Sequence, residues 1–218
     1  VPFETAPDNL KPRNSGQSTI AGIEFEARKT LGFISDKLFD WGIGANVTLV
    51  QSKMDMNTVI VSNEIIDDVT GAVITPAVTE LESRTSNARN GEVIGNFRPM
   101  TGQAPFMFNG SLNYGNKDNG INATFSYNVQ GKTLTIVGVG LVPDVYTNPF
   151  HSLNFKLSKK LNEVVQLSFK VQNILGDERE LVYESFGNTT TVDPAYFSLL
   201  DPGRTFSVSI KVNPTKRK

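Results

Sequence analysis

Three stretches near the C-terminus repeat one pattern: His151-Ser-Leu-Asn-Phe-Lys-Leu-Ser158, Val165-Gln-Leu-Ser-Phe-Lys-Val-Gln172 and Arg204-Thr-Phe-Ser-Val-Ser-Ile-Lys-Val212. Every second residue is large and apolar, and the residues between are small, polar or cationic. Successive side chains of a β-strand point to opposite faces, so each stretch has one greasy face and one wet face. Such a chain must find something apolar to cover the greasy face.

The same pattern recurs upstream. About Ile20–Thr30 sets Ile23, Phe25 and Ala27 against Glu24, Glu26 and Arg28. About Trp41–Gln51 sets Trp41, Ile43, Ala45, Val47 and Leu49 against Gly42, Gly44, Asn46 and Thr48. Strands are also expected at about Pro105–Tyr114 and Ile121–Gln130, with Phe106, Phe108, Leu112, Phe125 and Tyr127 on the apolar side. Most of these seven spans run about 9–11 residues, the length a tilted strand needs to cross a bilayer. No window has a helical period.

Two partners fit the greasy face: a second sheet, as in a soluble sandwich, or lipid. Composition permits both. Hydrophobic residues make up 39% of the 218, and no run of about 18 apolar residues exists, which excludes a helical membrane protein but not a barrel. The greasiest stretch, Leu134 to Pro143, is broken by Gly138 and Gly140. A net charge of −1 gives no electrostatic case for nucleic acid. The absence of cysteine removes disulfide and thiolate chemistry. Val1-Pro-Phe-Glu-Thr5 has neither the cationic start nor the apolar core of a leader, so a leader is expected to have been removed or to lie upstream.

The connections turn the reading toward lipid. Those around Gly32–Asp40, Gly115–Gly120 and Leu161–Glu163 are short, and those at about 52–104, 131–150 and 178–203 are long. Antiparallel strands put alternate connections at one end, so short turns gather at one end and long loops at the other, as in outer-membrane barrels. Aromatics sit where strands meet connections. Phe33, Phe39, Trp41 and Tyr114 fall at the short-turn end, and Phe106, Tyr127 and Phe150 at the other, as two interfacial girdles would. The expected fold is therefore all-β: an antiparallel up-and-down transmembrane β-barrel fragment over residues 1–213, with a tail at 214–218. Bacterial barrels have even strand numbers, so seven strands imply a piece of a larger barrel.

Four segments resemble the C-terminal barrel of TonB-dependent outer-membrane receptors. Asn14-Ser-Gly-Gln-Ser-Thr-Ile-Ala-Gly-Ile-Glu-Phe-Glu26 is similar to that family's loop and strand ending in Gly-x-Glu-x-Glu. Arg98-Pro-Met-Thr-Gly-Gln-Ala-Pro-Phe106, followed by Asn109-Gly-Ser-Leu-Asn-Tyr114, resembles the approach to a late barrel strand. Val171-Gln-Asn-Ile-Leu-Gly-Asp-Glu-Arg179 resembles the end of the penultimate strand, and Asp201-Pro-Gly-Arg-Thr-Phe-Ser-Val-Ser-Ile210 the last strand. The chain departs from the family in running on as Asn213-Pro-Thr-Lys-Arg-Lys218 instead of ending in an aromatic. The resemblance implies the C-terminal third of a barrel of about 22 strands, importing a scarce nutrient such as a glycan, peptide or siderophore across the bacterial cell outer membrane. It implies as partners outer-membrane lipid, further N-terminal barrel strands and a plug, and a TonB-type energy-coupling protein acting through the part not present here. A surface lipoprotein is a further candidate partner. No cofactor, metal or catalytic residue is expected, no nucleic acid is a partner, and the substrate-binding residues are unassigned.

Other chemistry is weaker. His151 and Ser152 with nearby Asp144 evoke a barrel hydrolase, but adjacent residues on a strand point to opposite faces. Glu24 and Glu26 share a face at about 7 Å, near the spacing of paired glycosidase acids, but Arg28 beside them makes a charge ladder the plainer reading. Asp55, Glu64, Asp67 and Asp68 lack the spacing of a calcium loop. Gly42-Ile-Gly44 and Gly138-Val-Gly140 are followed by no strand–helix unit. The long connection at 52–104 is the expected place for ligand or partner contact.

Overall fold

The computed structural model describes residues 16–88, 91–138, 142–184 and 195–214. It is all-β apart from short helical turns and one seven-residue helix. The first hairpin joins β1 (Ser18–Thr30) to β2 (Trp41–Asp55). The connection that follows carries β3 (Ile60–Ser62), β4 (Ile65–Ile66), β5 (Val73–Thr75), β6 (Val78–Thr79), helix α1 (Glu80–Ser86) and β7 (Phe97–Arg98). The chain then runs through β8 (Phe106–Asn116), β9 (Ile121–Gln130), β10 (Thr133–Ile136), β11 (Asp144–Thr147), β12 (Phe150–Lys160) and β13 (Val165–Gln172). It ends with β14 (Arg179–Glu184), β15 (Tyr196–Leu200) and β16 (Thr205–Val212).

The seven expected strands are all present, and they form one antiparallel sheet in the order β1-β2-β8-β9-β12-β13-β16, with β7 pairing the end of β2. Among the described residues β1 and β16 each have one neighbour in it. The register keeps the middle of the two faces distinct. Phe25, Val47, Phe108 and Val129 stand in one row. Ile43, Leu112, Phe125, Phe155, Val171 and Phe206 stand in another. On the opposite face Glu26, Asn46, Asn109, Asn128 and Ser152 line up. A one-residue slip would exchange the faces, so the hydrophobic pattern fixes the register.

Among the described residues no second layer covers the apolar face. Phe125 and Phe169, in the interior strands β9 and β13, remain 44% and 37% exposed. A stacked sheet would have reduced both to near zero.

The buried apolar residues instead gather at the long-connection end: Met54, Met56, Ala104, Leu134, Val145 and Val182. There β10, β11, β14 and β15 make a second antiparallel sheet, in that order. These strands prolong the β9–β12 and β13–β16 hairpins and make no substantial contact with the strands of the large sheet among the described residues. The stretch from Leu134 therefore extends its hairpin. The connection at 52–104 is no open loop either. It folds back through β7 onto β2 and holds α1, which the missing helical period concealed. Helix α1 is too short for a period to register; its start is a capping box, with Thr79 and Glu82 each bonding the other's backbone N–H.

Candidate functional site

A trough of about 820 Å³ lies across β1, β2, β8 and β9, lined among others by Glu26, Arg28, Asn46, Asn109, Ser111 and Asn128. The trough lies over the polar side of these four adjacent strands. The polar groups of this part bond one another. Asn128 donates to the Asn109 side-chain oxygen at 2.6 Å, Thr124 to that of Asn113 at 3.0 Å, and Asn46 to Glu24. Glu26 pairs with Arg28 at 2.7 Å. The two glutamates thus have separate partners, Glu24 the amide of Asn46 and Glu26 the guanidinium of Arg28. Gly44 makes room for its neighbours, since a Cβ there would meet Ser111 Oγ at 3.0 Å and Arg28 Cγ at 3.5 Å.

At the end of the sheet two of the three long connections, 52–104 and 131–150, are fastened to each other by buried charges. Arg84 of α1 reaches Asp144 of β11 with two hydrogen bonds, at 3.2 and 3.1 Å. Glu80, one turn before, accepts from Arg84 at 2.8 Å and from Arg98 of β7 at 2.6 and 3.1 Å. All four are at most 9% exposed. Burial pushes the Asp144 carboxyl above its usual range, against the opposing pull of Arg84 and of the Gly138 N–H at 2.7 Å. Burial, then Asp144 and Glu184, push the Tyr146 hydroxyl up to about 12. Gly138 is required here: a Cβ would meet the Val142 carbonyl oxygen at 2.0 Å. Gly140 lies outside the described residues. The sequence reading missed this network because its members are remote in the chain. Thr79-x-x-Glu82 was the one local sign of the helix that supplies two of them.

The remaining candidates separate. His151 lies on the apolar face opposite Val129, with Tyr127 Oη 2.6 Å from Nδ1, whereas Ser152 faces the polar side opposite Asn128. Asp144 is held by Arg84, so the Ser/His/Asp arrangement is absent. Asp67 caps its own turn, accepting from the backbone N–H groups of Val69 and Thr70 at 2.9 and 2.8 Å; these bonds hold its carboxyl below the usual range. Asp55 accepts from Asn57, and among the described residues no acidic group of metal-binding size forms with Glu64 and Asp68. The girdle assignment needs one correction. Trp41 and Tyr114 stack at 5.1 Å and Phe108 meets Tyr127 at 5.9 Å, all on the apolar face. Phe150, opposite Gln130, faces the polar side beneath Arg179 at 4.9 Å.

The two C-terminal motifs touch. Asn173, buried at the end of β13, donates to the carbonyls of Asp177 and Gly203 at 3.0 and 3.1 Å. Arg204 Nε–H donates to the Ile174 carbonyl at 2.9 Å, and its Nη2 to that of Leu175 at 3.2 Å. No helix among the described residues is long and apolar enough to cross a membrane, which leaves strands untested. Comparison of the chain with family models, curated proteins and solved structures finds no match.

Proposed function

We propose that the chain forms part of the wall of an outer-membrane β-barrel of the TonB-dependent importer kind. The apolar face meets lipid, the polar face lines the lumen, and the fastened connections form a cap outside the membrane. The importer takes up a scarce nutrient with energy from an inner-membrane partner. One observation carries the reading: among the described residues the greasy side of the sheet is bare even at its interior strands, with Phe125 and Phe169 exposed. Soluble sandwiches bury the greasy side against a second layer, and membrane barrels turn it outward.

Dimensions support this. The apolar band runs from the Trp41–Tyr114 row to the Leu49–Phe106 row. That is about 26 Å along the strand and about 20 Å along the axis at a ~40° tilt, near the ~25 Å band of such barrels. The contact between the Asn173 and Arg204 segments supports the resemblance of both to the last strands of these receptors.

Refolding tests the membrane reading. The purified chain should precipitate or aggregate in buffer and acquire β-structure in detergent or lipid vesicles. A monodisperse, soluble monomer with a cooperative melt would overturn it. In the cell, deletion of the gene should abolish energy-dependent uptake of one solute from a panel of iron chelates, glycans and peptides. Unchanged uptake of all would refute the importer reading.

A further inference from the structure

The polar face is not uniform. Over β1, β2, β8 and β9 its side chains bond one another, as described above. Over β12, β13 and β16 it carries Lys156, Lys160, Lys170 and Lys211. No Asp or Glu lies on this face of those three strands. Among the described residues none of the four ammonium groups has a hydrogen-bond or ion-pair partner.

The arrangement is enforced. Lys156 stands directly opposite Lys170, and Gln166 lies between Lys160 and Lys211 in one row. Like charges directly opposed across strands repel, at a Cβ separation of about 5 Å. The chain cannot relieve this by slipping, because Leu157 opposite Phe169 and Phe155 opposite Val171 hold the register from the other face. The two lysine rows are about 13 Å apart along the strands. Between and beside them stand Ser158, Ser168, Ser207 and Ser209, whose hydroxyls add donors.

We propose that Lys156, Lys160, Lys170 and Lys211 form a binding site for a small polyvalent oxyanion bearing phosphate or carboxylate groups. Lys156 and Lys170 converge on one oxyanion group, and Lys160 and Lys211 engage a second. The site goes beyond the importer reading and does not depend on what covers the apolar face.

Calorimetric titration of the full chain tests it, in micelles if the chain needs detergent and in buffer if it does not. The probes are sodium tripolyphosphate and citrate, which separate phosphate from carboxylate recognition. At least one should bind saturably and weaken as ionic strength rises. The Lys156→Gln/Lys170→Gln variant should bind about tenfold more weakly or worse, as expected from losing charge-assisted hydrogen bonds. It removes a repulsive pair, so its fold is retained. Lys53→Gln, remote at the far end of β2, should leave affinity unchanged. Saturable binding should also raise the melting temperature of the native chain and not of the double variant. Absence of saturable binding by either probe, or equal affinity in the double variant, would overturn the site. A water-soluble chain that binds refutes only the lipid reading, and a membrane-folded chain that does not bind refutes only the site.

Discussion

Arg84 grips Asp144 with both ends of its guanidinium across 60 residues of chain, Nη1 to Oδ2 at 3.2 Å and Nη2 to Oδ1 at 3.1 Å. Removing one partner of a buried pair strands the other without water and costs about 3–5 kcal/mol. Arg84→Ala should therefore loosen the cap as a unit. Amides of β10, β11 and α1 should exchange faster together, with those of β8 and β9 unchanged. Arg84→Lys keeps the charge but loses the fork, and should fall between. Exchange confined to α1 would disprove the coupling.

The start of α1 should respond to acid. The Thr79 backbone N–H, with its hydroxyl, holds the Glu82 carboxyl below its usual value of 4.5. The carboxylate is the form that the fold prefers, so its contribution is present above pH 4.5 and is lost as pH falls through the lower folded value. Protection of α1, measured against intrinsic exchange, should drop in that range. Glu82→Gln should abolish the step. Thr79→Ala should cost the helix about 1 kcal/mol at neutral pH. A pH-independent helix in the native chain would contradict the capping role.

Neighbouring residues of β13 should behave as opposites. Phe169 is on the apolar face and Lys170 on the polar one. Phe169→Arg should cost about 2–4 kcal/mol of folding into vesicles, the penalty for a cation at mid-bilayer. Lys170→Ser should cost little. Equal penalties in a vesicle titration would contradict the assignment of faces.

Asn173 adopts φ 52°, a left-handed conformation. Its buried amide also accepts from the Asp177 N–H at 3.2 Å. Asn173→Ala loses these bonds and strains the backbone, for about 2–3 kcal/mol. Asn173→Gly restores the backbone alone and should cost less. Urea midpoints check the order; equal losses would show that backbone strain plays no part.

The seven long strands were legible in the sequence because alternation acts residue by residue and needs no partner to be visible. Val165–Gln172 is found as expected, and Ile121–Gln130 ends where it was placed. The cap was not legible. Its strands run from 2 to 6 residues, too short for a period to stand out. Two of its connections are joined through Glu80, Arg84, Arg98 and Asp144, which meet only after the chain has folded. Phe150 was assigned to the wrong side because proximity to a strand end was read as membership of a girdle. Its side follows from parity with Ser152 and Asn154. The polar-face lysines Lys156, Lys170 and Lys211 were visible singly. Their confrontation needed the register.

The direction of the edge strands restricts what can complete the sheet. Seven antiparallel strands in succession leave β1 and β16 pointing the same way. Two copies set β16 beside β1 would meet along a parallel seam. Two copies set β1 beside β1 would meet antiparallel, but with their caps on opposite sides. A one-sided ring with only antiparallel seams therefore requires an odd number of strands beyond the seven described. Identical copies of this sheet cannot supply it.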